Sequence, residues 1–378
     1  MFKFLFLFSI ISLKSFALEL PLPVGHREAF IANTGVAMPE SPGNTLINPA
    51  GLAFRASDKT SLTVSGNAIA RQEFTIPGVA VEPEEIAVRP LIAAGIYPAD
   101  RGSKAIFISS PLTYQVVAAS NSEAAGVLTK SIVRTEKTDL VAGVSYARPW
   151  EGNENVALGI SAGVSTVSEK THGYTTSSQA GVSAGTRFIQ ADAKTNSVFV
   201  VAGVMAKVTD RWNVGGSLGF SPFKISSKGT AMASLLTSDD PTNIQEETID
   251  FDPQTKGEIS ARMGQELRLG ENNFLNVDVA YQSKTESENY AGSYETAAAW
   301  TYAVGFRMDA SENIKPMLGF AKNTSEHSDT DLITLGVALP ERNNEFIIGA
   351  FQLNNRPHDE AEGSLATYGI IFSSNVEY

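Results

Sequence analysis

The stretch WTYAVGFRMD, residues 300 to 309, decides how the rest of the chain is read. Trp300, Tyr302, Val304, Phe306 and Met308 fall on one side of an extended chain, and Thr301, Ala303, Gly305, Arg307 and Asp309 on the other. Successive side chains of a strand point to opposite faces, so this is a period-two segment with one apolar face and one small or polar face. Its aromatics stand toward one end of the apolar face, where a lipid interface would hold them.

The alternation recurs. In NFLNVDVAYQ, Leu275, Val277, Val279 and Tyr281 oppose Asn276, Asp278, Ala280 and Gln282; in RWNVGGSLGF, Trp212, Val214, Leu218 and Phe220 oppose Asn213, Gly215, Ser217 and Gly219. EISARMGQELRL sets Ile259, Met263, Leu267 and Leu269 against Glu258, Ser260, Arg262, Glu266 and Arg268. Fourteen such segments lie near 59–69, 87–97, 103–111, 138–148, 154–169, 195–208, 211–226, 255–269, 273–284, 297–308, 313–323, 330–339, 344–353 and 364–377. Every second connection is short and turn-like: PADRGS, PWEGNE, TDRW, GENN, DASEN and PERNN. The others are longer, near 70–86, 112–137, 170–194, 227–254, 285–296, 324–329 and 354–363. A transmembrane barrel has this asymmetry, with short turns on one side and longer loops on the other. The alternative is a soluble sandwich or propeller. The fold expected is all-β: a fourteen-stranded antiparallel transmembrane β-barrel. The C-terminal LATYGIIFSSNVEY fits it, because Tyr368, Ile370, Phe372, Val376 and Tyr378 share one face, broken only by Ser374.

The N-terminus reads as an export signal. Lys3 precedes an apolar run from Phe4 to Leu13, and Ser15-Phe16-Ala17 supplies small residues for cleavage after Ala17. Without Lys3 and Lys14 the formal charge of −12 becomes −14. An acidic chain lacking basic clusters is a poor nucleic-acid binder. The absence of cysteine excludes disulfides, thiolate metal sites and cysteine nucleophiles. No stretch after residue 18 has the length of an apolar spanning helix. His26, His172, His327 and His358 fall in no serine-nucleophile motif and no metal-binding spacing, so no catalytic residue, metal or cofactor is assigned and no enzyme is expected.

Residues 18–58 do not alternate. Five prolines, Pro21, Pro23, Pro39, Pro42 and Pro49, forbid a central strand, yet Phe30, Ile31, Val36, Met38, Leu52 and Phe54 make the segment too apolar for a disordered tail. A barrel of fourteen strands has a lumen too wide for side chains to fill. The segment is therefore expected inside as a plug, giving a division into 1–17 signal, 18–58 plug and 59–378 barrel. Asn48 should cap a short helix that Pro49 begins and that runs to Phe54.

Gly35-Val36-Ala37, then Gly43-Asn44-Thr45 and Asn48-Pro49-Ala50-Gly51-Leu52-Ala53, resemble the start of the FadL-type outer-membrane transporters of long-chain fatty acids and other hydrophobic compounds. Tyr97-Pro98, Asp100-Arg101-Gly102 leading into AIFISSP, and RWNVGGSLGFSPFKISSKG, are similar to later parts of that family. The resemblance implies an N-terminal hatch, capture of ligand at the outer loops, and passive exit through a gap beside a kinked third strand. It also implies an outer-membrane location, reached by export and insertion by the barrel assembly machinery. A hydrophobic small molecule, a fatty acid or hydrocarbon, is the expected ligand. Membrane lipid and lipopolysaccharide are the surroundings and a monomer the expected state. Some relatives take part in secretion, so a structural or secretion-associated barrel without transport is the alternative.

Under that resemblance Asn48, Pro49, Ala50 and Gly51 form the hatch motif, and Ser109, Ser110 and Pro111 are candidates for the lateral gap. RPLIAAGIYP and KAIFISSP are apolar on both faces, which reads as a greasy route or as packing for the plug. Candidate ligand-lining residues are Phe30, Leu91, Ile106, Ile108, Met232, Leu235 and Leu236, the last three as the stripe of a short helix in AMASLLTS. Arg262 and Arg307, both inward on this register, are candidate partners for a carboxylate, or members of a wall of ion pairs.

Overall fold

The computed structural model describes residues 23–55, 59–75, 79–81, 87–110, 113–124, 127–179, 182–237, 240–253, 257–289, 292–358 and 364–378. Fourteen antiparallel strands form the wall: β1 (Ser61–Thr75), β2 (Ala87–Ala99), β3 (Gly102–Ser109), β4 (Val127–Trp150), β5 (Asn153–Gln179), β6 (Val182–Thr209), β7 (Trp212–Thr237), β8 (Ile259–Leu269), β9 (Asn273–Gln282), β10 (Ala299–Met308), β11 (Lys315–Ser325), β12 (Ser328–Glu341), β13 (Asn344–Pro357) and β14 (Ser364–Glu377). Each pairs with its neighbours in sequence, and β1 pairs with β14 from Ser61↔Glu377 to Thr75↔Ser364. The sheet is thereby closed on itself, with no free first or last strand. Each of the fourteen alternating segments coincides with one wall strand. The six short turns stand at one rim, with Gly152 and Gly270 supplying the positive φ that two of them need.

The alternation sorts the two faces as the sequence predicts. Leu140, Val144 and Tyr146 are exposed on β4, Leu218 and Phe220 on β7, Ile259 and Met263 on β8, Trp300, Tyr302 and Val304 on β10, and Ile348 and Ile370 on the last two strands. Their sequence neighbours Ser145, Ala147, Ser217 and Ala303, and Asn276 and Asp278 of β9, are buried on the inner side. A continuous outward apolar band of this extent has no place in water. Apart from one place beside β3, its backbone groups lie within closed ladders, so it suits a bilayer, and the wall spans a membrane.

Four strands are much longer than a membrane requires. A tilted strand crosses in about 9–11 residues, whereas β4, β5, β6 and β7 have 24, 27, 28 and 26 residues. Their far halves continue past the apolar band as a sheet, joined by Thr113–Ala124, by Asp240–Phe251 and, at one margin, by Val79–Val81. This corrects the expected loops at 112–137, 170–194 and 227–254, which are mostly strand. The reason is compositional. KTHGYTTSSQ carries threonines and Tyr174, which favour a strand, yet is polar on both faces. TRFIQADAK places Phe188 among polar residues on one face and Ile189 with only Arg187 and alanines on the other, so the hydropathy alternation fades. AMASLLTS is likewise strand and not helix: it lies within β7, paired on both sides. Met232 and Leu236 share one face and Leu235 takes the other, so the expected stripe does not exist. Ladder partners on both flanks outweigh a weak local helix preference. A short hairpin, Thr285–Asn289 with Gly292–Thr296, occupies the connection after β9.

The two faces should respond differently to charge. Leu218, the 63% exposed centre of the band on β7, changed to Arg is expected to cost about 2–4 kcal/mol, against about 0–1 for Ser226→Arg near the end of the band. Urea titration of each variant folded into lipid vesicles measures both.

Candidate functional site

Residues 23–55 lie within the wall. They form three short 3₁₀ turns, Glu28–Ile31, Pro42–Thr45 and Pro49–Phe54, and nearly all of their side chains are buried. Asn48 organises the third. Its Oδ1 accepts from the Ala50 N–H at 3.2 Å, capping the turn that Pro49 begins, as the sequence predicts. Its Nδ2 donates to Val36 O at 2.6 Å and to Val204 O of β6 at 3.0 Å. One side chain thus joins two parts of the segment to the wall. Inward glycines let the turn approach the wall closely here, by its Asn48 side chain at Gly203 and by its main chain at Gly159. A Cβ on Gly203 would stand 1.9 Å from Asn48 Oδ1, and one on Gly159 2.3 Å from the Ala50 nitrogen.

Other wall strands hold the segment from the opposite side. Asp278 Oδ2 of β9 accepts from the Gly35 and Val36 N–H groups at 2.7 and 3.0 Å. Thr334 Oγ1 of β12 accepts from Ala32 N–H at 2.9 Å. Glu345 of β13 takes a bidentate bond from Arg27, both contacts 2.7 Å, and meets His26 Nε2 at 2.9 Å. Phe30, Ile31 and Met38 pack with Met317, Leu332, Ile347 and Leu353 as the main core, so the core lies between segment and wall.

The wall is discontinuous at one place. β2 and β3 pair from Ala99↔Gly102 up to Ile92↔Ser109. Beyond that, Ala87–Pro90 pairs with β1, while the chain after β3 resumes as Thr113–Ala124, paired with β4 and, through Ala118–Ser120, with Val79–Val81. Among the described residues no ladder joins Ala87–Pro90 to Thr113–Val117. β2 has a bulge at Leu91, where the pairing passes from Ser65↔Ile92 to Gly66↔Pro90. The carbonyls freed at the break have partners. Leu91 O accepts from Ser109 Oγ at 2.6 Å and from Ser110 N–H at 2.9 Å, and Asp139 O accepts from Ser110 Oγ at 2.9 Å. Ser109 and Ser110 therefore do more than leave room. Pro111, the third residue of the expected gap, lies outside the described residues.

An apolar patch leads from the lumen to the foot of this break. Ile92, Ala94, Phe107 and Val141 are buried together, with Leu46 of the N-terminal segment and Phe199 of β6 partly buried against them. The Phe107 and Phe199 rings lie 6.1 Å apart. Gly143 makes space for both rings: a Cβ there would lie 2.9 and 3.1 Å from them.

The residues expected to line a ligand divide otherwise than expected. Ile106 and Ile108 face outward, 60% and 45% exposed, because the register of β3 turns Phe107 inward. Phe30 and Leu91 are sealed in the core, at 0% and 1% exposure, and offer no surface to a solute. Met232, Leu235 and Leu236 lie far along β7, beyond the apolar band. Phe107, Val141 and Phe199 were not singled out by the sequence, although KAIFISSP drew attention to the right strand. Of the two arginines, Arg307 is occupied: it lies 3.9 Å from Glu266, donates to Met38 Sδ at 3.5 Å and covers the Phe274 ring at 4.2 Å. Arg262 is half-buried on the inner face of β8, with no direct ion pair among the described residues.

No protein-family model matches this chain, and no curated protein matches it in sequence. Solved structures do match in fold. The CymD monoaromatic hydrocarbon channel superposes with a TM-score of 0.67 at 11% identity, over 94% of this chain and 98% of that one. The toluene transporter TbuX of Ralstonia pickettii gives 0.66 at 11%, over 94% and 99%. A FadL homologue of Pseudomonas aeruginosa gives 0.59 at 14%, over 94% and 98%. The chain has the fold of the FadL-type barrels.

The Asn48 contacts make a prediction. Asn48→Ala removes the donor to two carbonyls and the acceptor that caps Ala50, which costs about 3–6 kcal/mol at about 1–2 kcal/mol for each of the three partners left unmet. Amides of residues 28–54 should then exchange with deuterium at least about tenfold faster, while those of β10–β13 keep their rates in the same mass-spectrometric measurement.

Proposed function

We propose that the protein carries hydrophobic small molecules passively across an outer membrane, with residues 23–55 acting as a hatch and the break beside β3 as a lateral exit. The observation that carries this reading is the patch of Ile92, Phe107, Val141, Phe199 and Leu46 at the foot of the break. An apolar solute in the lumen meets a hatch held by hydrogen bonds on several sides, and its least costly path avoids water. At rest the patch is closed, with Ile92 and Phe107 buried and Leu46 packed against them. Once Leu46 moves aside it offers apolar contact, worth about 25 cal/mol per Å² of area kept from water, and the break lies where the solute can pass sideways into lipid. Ser109 and Ser110 satisfy the Leu91 and Asp139 carbonyls at the foot of the break, so these two groups cost an apolar molecule nothing in passing. Solute then moves down its gradient. The other parts of this reading are export by the N-terminal signal and an outer-membrane setting with the short turns on the periplasmic side. The FadL-type fold supports that setting.

Two cargo classes have distinct support. Arg262 faces the lumen and suits a carboxylate, which favours long-chain fatty acids. The patch itself carries no charge, which suits neutral aromatic hydrocarbons such as those named for the CymD and TbuX structures. Uptake of labelled oleate and of labelled toluene by cells expressing the protein separates them. Phe107→Lys puts a cation in the path and is expected to reduce both by about tenfold or more, at 1.4 kcal/mol per factor of ten. Arg262→Gln should reduce oleate uptake alone if fatty acids are the cargo. Uptake equal to that of cells without the protein, for both compounds, would falsify transport and leave a structural barrel.

A further inference from the structure

A separate surface lies on the outward face of β4–β7, just past the apolar band. Thr166 donates to Asn196 Oδ1 at 2.8 Å, and Asn196 Nδ2 donates to Ser226 Oγ at 2.8 Å. These three are cross-strand neighbours of Leu140, and their row is where the outward face changes from apolar to polar. The next outward row is Thr138–Ser168–Lys194–Lys228. Lys194 and Lys228 are directly opposed across the ladder and both are exposed. Their outward direction is fixed by Thr195 and Gly229, which are buried on the inner face. Neither ammonium has an ion-pair or hydrogen-bond partner among the described residues.

Like charges placed directly opposite in an antiparallel pair destabilise the sheet. An acidic chain of net charge −12 has no surplus of lysine to scatter there. Neighbouring acids are engaged elsewhere or displaced: Asp252 is bonded to Lys224 at 2.7 Å, Asp250 to Thr230, and Glu136 and Asp192 flank Lys170 in the following row. The row adjoins the lipid-facing band at the rim opposite the short turns, which is the headgroup level of that leaflet. A bridging anion there removes the repulsion. Two ammonium groups with hydroxyl donors beside them suit a phosphate monoester, which carries about −1.5 to −2 charges and three acceptor oxygens. A zwitterionic headgroup would bring its own cation against the lysines.

We propose that Lys194 and Lys228, with Ser168 in the same row, bind the phosphate monoester of a phosphorylated glycolipid in the leaflet at this rim. The site takes its orientation from the function proposed above, but its test does not need transport. Native mass spectrometry of the whole protein in detergent micelles would titrate lipid A carrying both phosphates, lipid A stripped of them, and inorganic phosphate. The double variant Lys194→Gln/Lys228→Gln is compared with Arg101→Gln/Arg211→Gln, which removes the same charge at the opposite rim. Heat-dependent migration on gels checks that both variants fold. The expected result is about tenfold weaker binding of phosphorylated lipid A to the lysine variant, from the loss of charge-assisted contacts. The arginine variant should bind as wild type, and stripped lipid weakly to all. Equal losses in the two variants, or displacement by inorganic phosphate at equal concentration, would overturn the site as a general charge effect or an adventitious ion only. A barrel inactive in oleate and toluene uptake that still prefers phosphorylated lipid upholds this site and removes the transport reading.

Discussion

Inside a bilayer every backbone N–H and C=O needs a partner from the protein itself. The whole molecule follows from that requirement. It forces fourteen strands to close through the Ser61↔Glu377 ladder, and it fixes which face of each strand meets lipid, because a one-residue slip would turn every apolar side chain inward. It also makes the lapse between β2 and β3 informative. An unpaired stretch of wall is costly there, and the structure offsets that cost locally. Two serine hydroxyls and one amide serve the Leu91 and Asp139 carbonyls. A break so supported is a built feature of the wall and not a fault in it.

Closure at this strand number leaves a lumen that side chains do not fill. The N-terminal segment fills it by bringing main chain against main chain, which is possible only where wall residues have no side chain. Gly159 receives the Pro49–Ala50 main chain in this way, and Gly319 receives Ile31, whose carbonyl carbon would lie 2.2 Å from a Cβ; Gly203 makes the same room for the Asn48 side chain. The polar contacts then fix position rather than supply bulk. Asn48 ties the segment to β6, Asp278 to β9, Thr334 to β12 and Glu345 to β13, so the anchors are spread around the wall.

The sequence made the wall legible because period-two alternation is a direct consequence of one face meeting lipid. WTYAVGFRMD could be read on sight, and all fourteen segments were. Legibility ended where that asymmetry ended. The far halves of β5 and β6 have water on both sides, so their strands left no hydropathy signal and passed for loops. AIFIS in β3 is apolar on both faces, so its parity is open in the sequence, and Ile106 and Ile108 stand as ligand-lining candidates where the ladder to β2 puts Phe107 inward. The cap formed by Asn48 was legible from residue types alone. Its donation to Val204 was not, since nothing local in the sequence tells which wall strand lies 156 residues away. The inner glycines were visible as small residues, but their use as landing places for main chain appears only once the segment is in place.

Leu46 connects the two halves of the architecture. It belongs to the N-terminal segment, two residues before Asn48, yet it packs in the apolar patch with Phe107 and Phe199. A solute bound in that patch competes with Leu46 for the same contacts. Ile47 adds a second tether, since its carbonyl accepts from Ser217 Oγ at 2.7 Å. Displacing Leu46 therefore works against the bonds to β7 and β6 made by the two residues that follow it. By reciprocity, whatever loosens those bonds makes the patch easier to occupy, and occupancy loosens them in turn. The hydrogen bonds of Asn48 thus act at a distance on a route that Asn48 itself does not touch, and this is the physical sense in which the Asn-Pro-Ala-Gly turn belongs to the site.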